Sequence, residues 1–434
     1  MLLSGCALIT VDTAKDNARV IVDVNGETVT KAVVHAMVDN QISTYEYYNQ
    51  LYSAYYGISN LYSTDEATVT ADVIDTYVNQ LVSQQKAKEL GLYEMTEEEQ
   101  AEVDENAKKN YDSFIQSVIS TYMPGSTLEG DELTAAAEKY VADNQVATVD
   151  GRSTLADFAA SAADDKALEK LSEYIIKDVA VTDEEIQADF DAKVESAKAD
   201  YEADLTAYGT AVNSGSTVYY APAGYRMVKH ILVKVSDEDS AAATEKKTVL
   251  TDAQTALTEA QTALDSAAED ADKTALQAAL ETAQKAVDEA QAAYDEAQAA
   301  GMANAKAKAD ELYAQLTQEG ADFETLLADN NGDSGQPAAG YAICEGFTSF
   351  VESFTNGALA LEKVGDVSEP VESTYGYHII QYTSDVAEGP VDLETVKDGI
   401  SSALLTAKQN EVTTATLAQY VSEANVKTYP ERMN

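Results

Sequence analysis

"YRMVKHILVKV", residues 225–235, reads as a buried strand with a titratable ring in it. The chain has 434 residues and three histidines, so His230 is conspicuous there. A second apolar run, "YGYHIIQY" at 375–382, carries His378 in a matching place, "YHII" against "KHIL". Period-2 alternation puts each histidine on one face of its strand and the next residue on the other. If the two strands are neighbours, each with its histidine at the start, both rings can share one side of a sheet. Two imidazoles in contact at neutral pH work best as neutral tautomers, one donating and one accepting. The alternative is a pair of ordinary satisfied core residues.

Outward from these strands the composition changes twice. Residues 236–302 are rich in Ala, Gln, Glu and Asp, yet they are patterned. Leu250, Ala253, Leu257, Ala260, Leu264 and Ala267 step by three and four, as do Leu280, Ala283, Val287, Ala290, Tyr294 and Ala297. This predicts an antiparallel helical hairpin with a thin seam and a marginal tip, because small residues bury little area. Before the strand, 206–220 contains Gly, Ser and Pro and reads as a linker. Residues 20–205 open with "VIVDVNGETVT", a strand with a tight Asn25-Gly26 turn, and continue as helices. Thr96 with Glu99 and Thr182 with Glu185 have capping-box spacing. Residues 31–56 form a tyrosine-rich helix. Its Tyr45, Tyr48, Tyr52 and Tyr55 stripe reads first as core packing, otherwise as an adaptable patch for unfolded chains. Residues 386–434 hold a last helix expected to pack back on 20–205. The fold class is therefore α+β: a mostly helical N-terminal domain, 20–205, then an α/β domain, 221–385, interrupted by the hairpin.

The net charge of −48 argues against nucleic acid and anionic lipid headgroups as partners. No metal-ligand spacing, phosphate-binding glycine loop or nucleophile triad occurs, so no cofactor or metal is expected. Two cysteines imply no disulfide framework. No run of 18 apolar residues is present. Leu3-Ser4-Gly5-Cys6 resembles the lipobox of bacterial lipoproteins, where the cysteine is lipidated; a chance match of four residues is the alternative. The charged and apolar parts of a signal peptide are expected upstream of Met1, with residues 1–19 as lipobox remnant and tether.

Taken in order, "HILVK" (230–234), "DFETLLADNNGDS" (322–334), "SFVESF" (349–354), "GDVSEPV" (365–371) and "YGYHII" (375–380) resemble the parvulin family of peptidyl-prolyl isomerases. The flanking segments "VNGETVT" and "VTDEEI" and a following helix resemble PrsA/SurA-type extracytoplasmic foldases, whose PrsA branch is lipid-anchored. The resemblance implies roles residue by residue. His230 and His378 would form a paired-imidazole floor. Asp333, ten residues after Phe323, would stand beside the substrate amide, though alone it reads as a turn residue. Ser373, five before His378, would join the histidine network. Phe350 and Phe354 would wall a proline pocket, with Ala342 in place of a pocket leucine and Tyr375 beside them. The two phenylalanines also read as ordinary core at helical spacing. The family's glycine-rich turn appears here as "AAGYAI", 338–343, keeping Gly340 alone, which puts catalytic efficiency in question. Cys344 is a core or loop thiol. Lys234 is followed by "SDEDS", so no preference for phosphate is expected.

The implied function is isomerisation of X-Pro bonds in unfolded or newly secreted polypeptides outside the cell membrane, held there by a lipid anchor. The alternative is a holdase whose parvulin domain has ceased to catalyse. A structural coiled-coil adaptor is a third class. The hairpin reads equally as a guard or client grip and as a tolerated insertion. Oligomeric state is not legible.

Overall fold

The computed structural model describes residues 13–269 and 272–433. The proposed lipobox, with Cys6, lies outside the described residues. The chain forms two compact units, one of residues up to 181 together with 402 onward, the other of Thr182–Ser401.

The first unit begins with a short helix α1 (Thr13–Asn17) and the hairpin β1 (Val20–Val24) and β2 (Glu27–Thr30). Asn25 and Gly26 turn it with φ of 52° and 95°, and the Asp23 carboxylate accepts the Gly26 N–H at 2.9 Å. Positive φ at both positions suits the right-handed twist of the strands. Five helices follow: α2 (Lys31–Tyr56), α3 (Glu66–Glu89), α4 (Glu97–Tyr122), α5 (Gly130–Asn144) and α6 (Leu155–Ile176). Helix α3 buries Val69, Val73, Tyr77, Val78 and Val82 against Ile21, Val22, Val34 and Val38. The Thr96–Glu99 box starts α4, and an unforeseen Thr154–Asp157 box starts α6. Each such cap stabilises its helix by about 1 kcal/mol.

The second unit opens with α7 (Asp183–Ala203), capped by the expected Thr182–Glu185 box, and α8 (Thr206–Asn213). Residues 206–213 are thus helical where linker was expected. Tyr208 is buried there, and Gly209 lets the Tyr225 hydroxyl reach its backbone N–H at 3.0 Å. Then come β3 (Tyr220–Ala221), β4 (Arg226–Val233), α9 (Asp237–Asp265), α10 (Thr274–Leu316), α11 (Phe323–Asn330), β5 (Tyr341–Ile343), α12 (Glu352–Leu359), β6 (Val371–Ser373), β7 (Gly376–Asp385) and β8 (Gly389–Pro390). The main sheet has the order β5-β4-β7-β6, antiparallel throughout. One face packs Ile231, Val233, Tyr377 and Ile379 against Ala305, Ala309 and Leu312 of α10 and Phe323 of α11. On the other face Val228, Ile380 and Tyr382 meet Phe354 and Ala358 of α12.

The hairpin is present as α9 and α10. Each of the twelve predicted seam residues is buried or partly buried, while nearly all of their neighbours along the two arms are exposed. Helix α10 runs 43 residues, so one continuous rod supplies both the hairpin's second arm and a cover for the sheet. A last helix, α13 (Lys397–Glu423), begins in the second unit and runs into the first. Strand β9 (Val426–Thr428) follows and pairs antiparallel with β1.

The tyrosine stripe departs from the core-packing expectation. Tyr48 and Tyr55 are 41% and 76% exposed, and Tyr47 and Tyr56 beside them are exposed as well. Tyr45 stacks on Tyr62 at 4.9 Å between centroids, and Tyr52 meets Tyr56 at 5.5 Å. Asn49 holds Tyr62 there by two hydrogen bonds to its backbone.

Candidate active site

Strand β4 pairs with β5 only as far as Val228, which leaves its edge from His230 to Leu232 without a strand partner. The loop after α11 takes that place. Gln336 accepts the His230 N–H at 2.8 Å, Asn331 Oδ1 accepts the Leu232 N–H at 2.9 Å, and the Gly332 N–H donates to the Leu232 carbonyl at 2.8 Å. A Cβ on Gly332 would stand 2.8 Å from that carbonyl, so the loop can lie this close only with glycine there. Asn331 Oδ1 also accepts the Asp333 N–H, at 3.0 Å. The unpaired edge is thereby satisfied, as buried backbone must be, and Asp333 is delivered opposite His230.

Across the other ladder, His230 is paired with Ile380 and Leu232 with His378. The two histidines are diagonal neighbours on one face. His230 stands in the middle of β4, with Arg226–Lys229 ahead of it, and not at the strand's start as expected. The rings meet edge to edge: Nδ1 to Nδ1 is 2.8 Å, with the planes 11° apart. His230 Nε2 lies 2.9 Å from Asp333 Oδ2, and His378 Nε2 lies 2.7 Å from Ser373 Oγ. Tyr341 donates its hydroxyl to Asp333 Oδ2 at 2.8 Å, and the Gly335 N–H donates to Oδ1 at 3.0 Å.

The ionised carboxylate fixes the proton order. Asp333 can only accept, so His230 donates from Nε2 and accepts at Nδ1. His378 then donates from Nδ1 and accepts the Ser373 hydroxyl proton at Nε2. Ser373 Oγ in turn accepts the Tyr375 N–H at 3.1 Å. One direction of donation runs from the Tyr375 backbone to Asp333, with both imidazoles neutral. The electrostatics agree. Burial lowers the His230 pKa, although the Asp333 carboxylate opposes that shift. Burial, reinforced by His230, lowers that of His378 to about 4. Burial alone would raise Asp333, but hydrogen bonds from His230, Tyr341 and Gly335 prevail and hold it below the ordinary carboxylate range. Burial and the Asp333 carboxylate push the Tyr341 phenol up.

This chain forms the floor of a cleft of about 560 Å³, walled by Tyr341, Phe350, Phe354 and Tyr375, with Leu232 and Lys234 at one side. Phe354 sits edge-on to His230 and tilted against His378, 4.9 and 5.2 Å between ring centres. Phe350 crosses Tyr341 at 4.8 Å. The structure therefore brings together His230, Asp333, Ser373, His378, Phe350, Phe354 and Tyr375. It does not bring Ala342. That residue pairs with Met227, is fully buried, and faces away from the cleft; the wall is Tyr341, one residue earlier. With a single glycine left in the turn, no landmark fixed the register, and a shift of one residue exchanges the two faces. Gly340 shows why that glycine remains: its φ is +84° and a Cβ would lie 2.2 Å from the Val228 carbonyl oxygen. Asn331, Gln336 and Tyr341 were missed because they act on backbone edges and carboxylates that only the fold brings near. Cys344 is fully buried and its thiol is pushed up by burial. Among the described residues no group of three or more His, Cys, Asp or Glu could hold a metal ion.

Residues 278–384 match the family described as the PPIC-type PPIase domain. The match begins inside α10 and leaves out β4 with His230. The structure reunites them, because the hairpin separates β4 from the rest in sequence but not in the sheet. A foldase protein PrsA of Caldanaerobacter subterraneus subsp. tengcongensis is 31% identical over 134 residues, covering 29% of this chain and 40% of that protein. Foldase protein PrsA 2 of Listeria innocua is 31% identical over 123 residues, covering 28% and 41%. The chain thus spans about two fifths of the length of the curated relatives it matches. The solved PrsA of Bacillus subtilis is 17% identical, covering 94% of this chain and 91% of that one, with a TM-score of 0.22, too low to carry an argument.

Proposed function

We propose that this chain, whose residues 278–384 match the PPIC-type PPIase domain, isomerises X-Pro bonds in unfolded or newly secreted polypeptides. The observation that carries this is the unbroken hydrogen-bond chain Ser373–His378–His230–Asp333 under an aromatic-walled cleft. An X-Pro amide turns over a barrier of about 18–20 kcal/mol. Rotation breaks conjugation and needs no nucleophile, so a site that fits the twisted amide better than either planar form accelerates it. The phenylalanine walls take the pyrrolidine ring. The locked polar floor cannot swing to solvate a planar amide, and it presents dipoles already oriented for the twisted one.

His378→Ala tests this. It removes the middle of the chain, and the isomerisation rate on a short X-Pro peptide, followed by NMR exchange, falls by about 100-fold. An equal rate in variant and wild type would refute the enzyme reading. The exposed tyrosines of α2 support a second activity, holding clients without catalysis. It would survive in the same variant and be read as suppressed aggregation of an unfolded protein.

On the same reading the enzyme needs no phosphate on its substrate, since Lys234 is the one cation lining the cleft. It works outside the cell membrane, tethered through lipidated Cys6. Metabolic labelling with palmitate, abolished by Cys6→Ser, is the check on the anchor.

A further inference from the structure

A second groove adjoins the cleft. It lies at the root of the helical hairpin, with a volume of about 490 Å³. Val235, Ala243, Tyr294 and Met302 give it apolar walls, and Lys234 and Lys247 are its cations. Lys234 and Tyr375 line both hollows, so the groove borders the cleft. Residues of both arms build it, and the arms come this close because Gly301 faces Val235 and Asp239, where a Cβ would be 2.9 and 3.1 Å away.

The charge of the groove runs against that of the molecule. The chain has 76 acidic residues to 28 basic ones. Here two lysines face one carboxylate, that of Asp239, and its oxygens are already taken by the Ser236 hydroxyl at 2.8 Å and the Asn304 amide at 3.1 and 3.2 Å. Neither Lys234 nor Lys247 has an ion-pair partner among the described residues. At physiological salt the rest of the negative surface is screened beyond about 8 Å, so the two ammonium groups set the local preference.

We propose that this groove is a substrate subsite. It takes the part of the client chain that flanks the isomerised proline, and it selects segments carrying a bulky apolar side chain beside an acidic one. The hairpin is then a specificity element of the enzyme. The proposal rests on the isomerase reading for its place in the reaction, but binding in the groove can be measured without it.

The test uses the full chain and three ten-residue peptides. Each has a central Ala-Pro and a leucine in the flank, with Glu, Gln or Lys as the next flanking residue. Within each protein variant the peptides are compared as ratios of kcat/KM by NMR exchange, so a general loss of activity cancels. Wild type favours Glu over Gln by about five-fold, the size expected of a partly exposed ion pair, and loses that preference in 0.5 M salt. Lys247→Glu, an exposed change on α9, turns the preference towards the Lys peptide. Equal kcat/KM for the Glu and Gln peptides in wild type, or an unchanged preference in Lys247→Glu, would overturn the subsite. If wild type isomerises no peptide, the isomerase reading fails by itself. The groove is then judged by fluorescence anisotropy with a proline-free Glu peptide. Binding that Lys247→Glu reverses towards the Lys peptide upholds it, and absence of binding sinks it.

Discussion

The hairpin arms and the four-stranded sheet belong to one compact unit, yet they are held by different amounts of buried surface. Ile231 and Ile379 are fully buried in the sheet's helix-covered face. Along α9 only Leu250 is buried, and the rest of that seam is alanine and half-covered leucine. Full burial of an isoleucine stabilises by about 2–3 kcal/mol, whereas a half-exposed leucine or an alanine gives a fraction of that. Equal regularity of pattern therefore does not mean equal stability. The sheet holds the histidine pair in a well-buried frame; the hairpin, by the same reckoning, opens locally at small cost.

The comparison can be broken most forcefully at Gly340. Gly340→Ala adds a Cβ against the Val228 carbonyl at an unfavourable positive φ. It should cost about 4 kcal/mol or more, read as loss of the sheet's cooperative thermal transition while the helical signal of α9 and α10 persists. A smaller effect comes from matched truncations. Ile379→Ala should destabilise the second unit by about 3 kcal/mol. Leu257→Ala, on the seam, should cost less than about 1 kcal/mol and show itself in faster amide exchange near the hairpin tip. Equal losses for the two would erase the contrast.

Acid separates the two regions further. His378 is neutral when folded, with a pKa near 4 against an ordinary 6.5. The unfolded chain therefore binds a proton that the folded one refuses. The His378 contribution is constant above about pH 6.5, falls as pH drops towards 4, and levels off below, a loss on the order of 3 kcal/mol. The hairpin contains no histidine. The sheet's denaturation midpoint should fall through this window and the hairpin's helicity should not. The smallest effect is Gly301→Ala. The added Cβ would stand 2.9 Å from the tip of Val235 and 3.1 Å from Asp239 Cβ, so both must give by a few tenths of an ångström, while helix propensity improves by about 1 kcal/mol. The net change in helix melting should be close to zero. A large loss would mean that the hairpin root is as tightly packed as the sheet.

Much of this was legible in the sequence because it repeats. The seam residues from Leu250 to Ala297 follow a helical period, and "KHIL" and "YHII" follow a strand period. Position within the pattern was enough to place them. Asp333 was legible by its spacing from Phe323, although its partner Tyr341 was not. Single events were harder to read. Helix α8 hid behind the glycines and serines of 206–220, because tertiary packing of Tyr208 outweighs weak local preference. The α2 tyrosines read as core from spacing, since periodicity reports a common face and not what covers it. Ala342 and Tyr341 are adjacent, and only the pairing with Met227 and Val228 decides which looks into the cleft.

Strand β9 lies against β1, the Tyr429 N–H donates to the Ile21 carbonyl, and Arg432 donates to the carbonyl of Val20. The first sheet is therefore stitched shut by residues that lie about 400 positions after its opening strand. During vectorial synthesis the second unit, whose four-stranded sheet lies wholly within 226–385, can assemble while β1 still lacks β9. A nascent copy would then have its two-histidine cleft formed before its N-terminal sheet is closed.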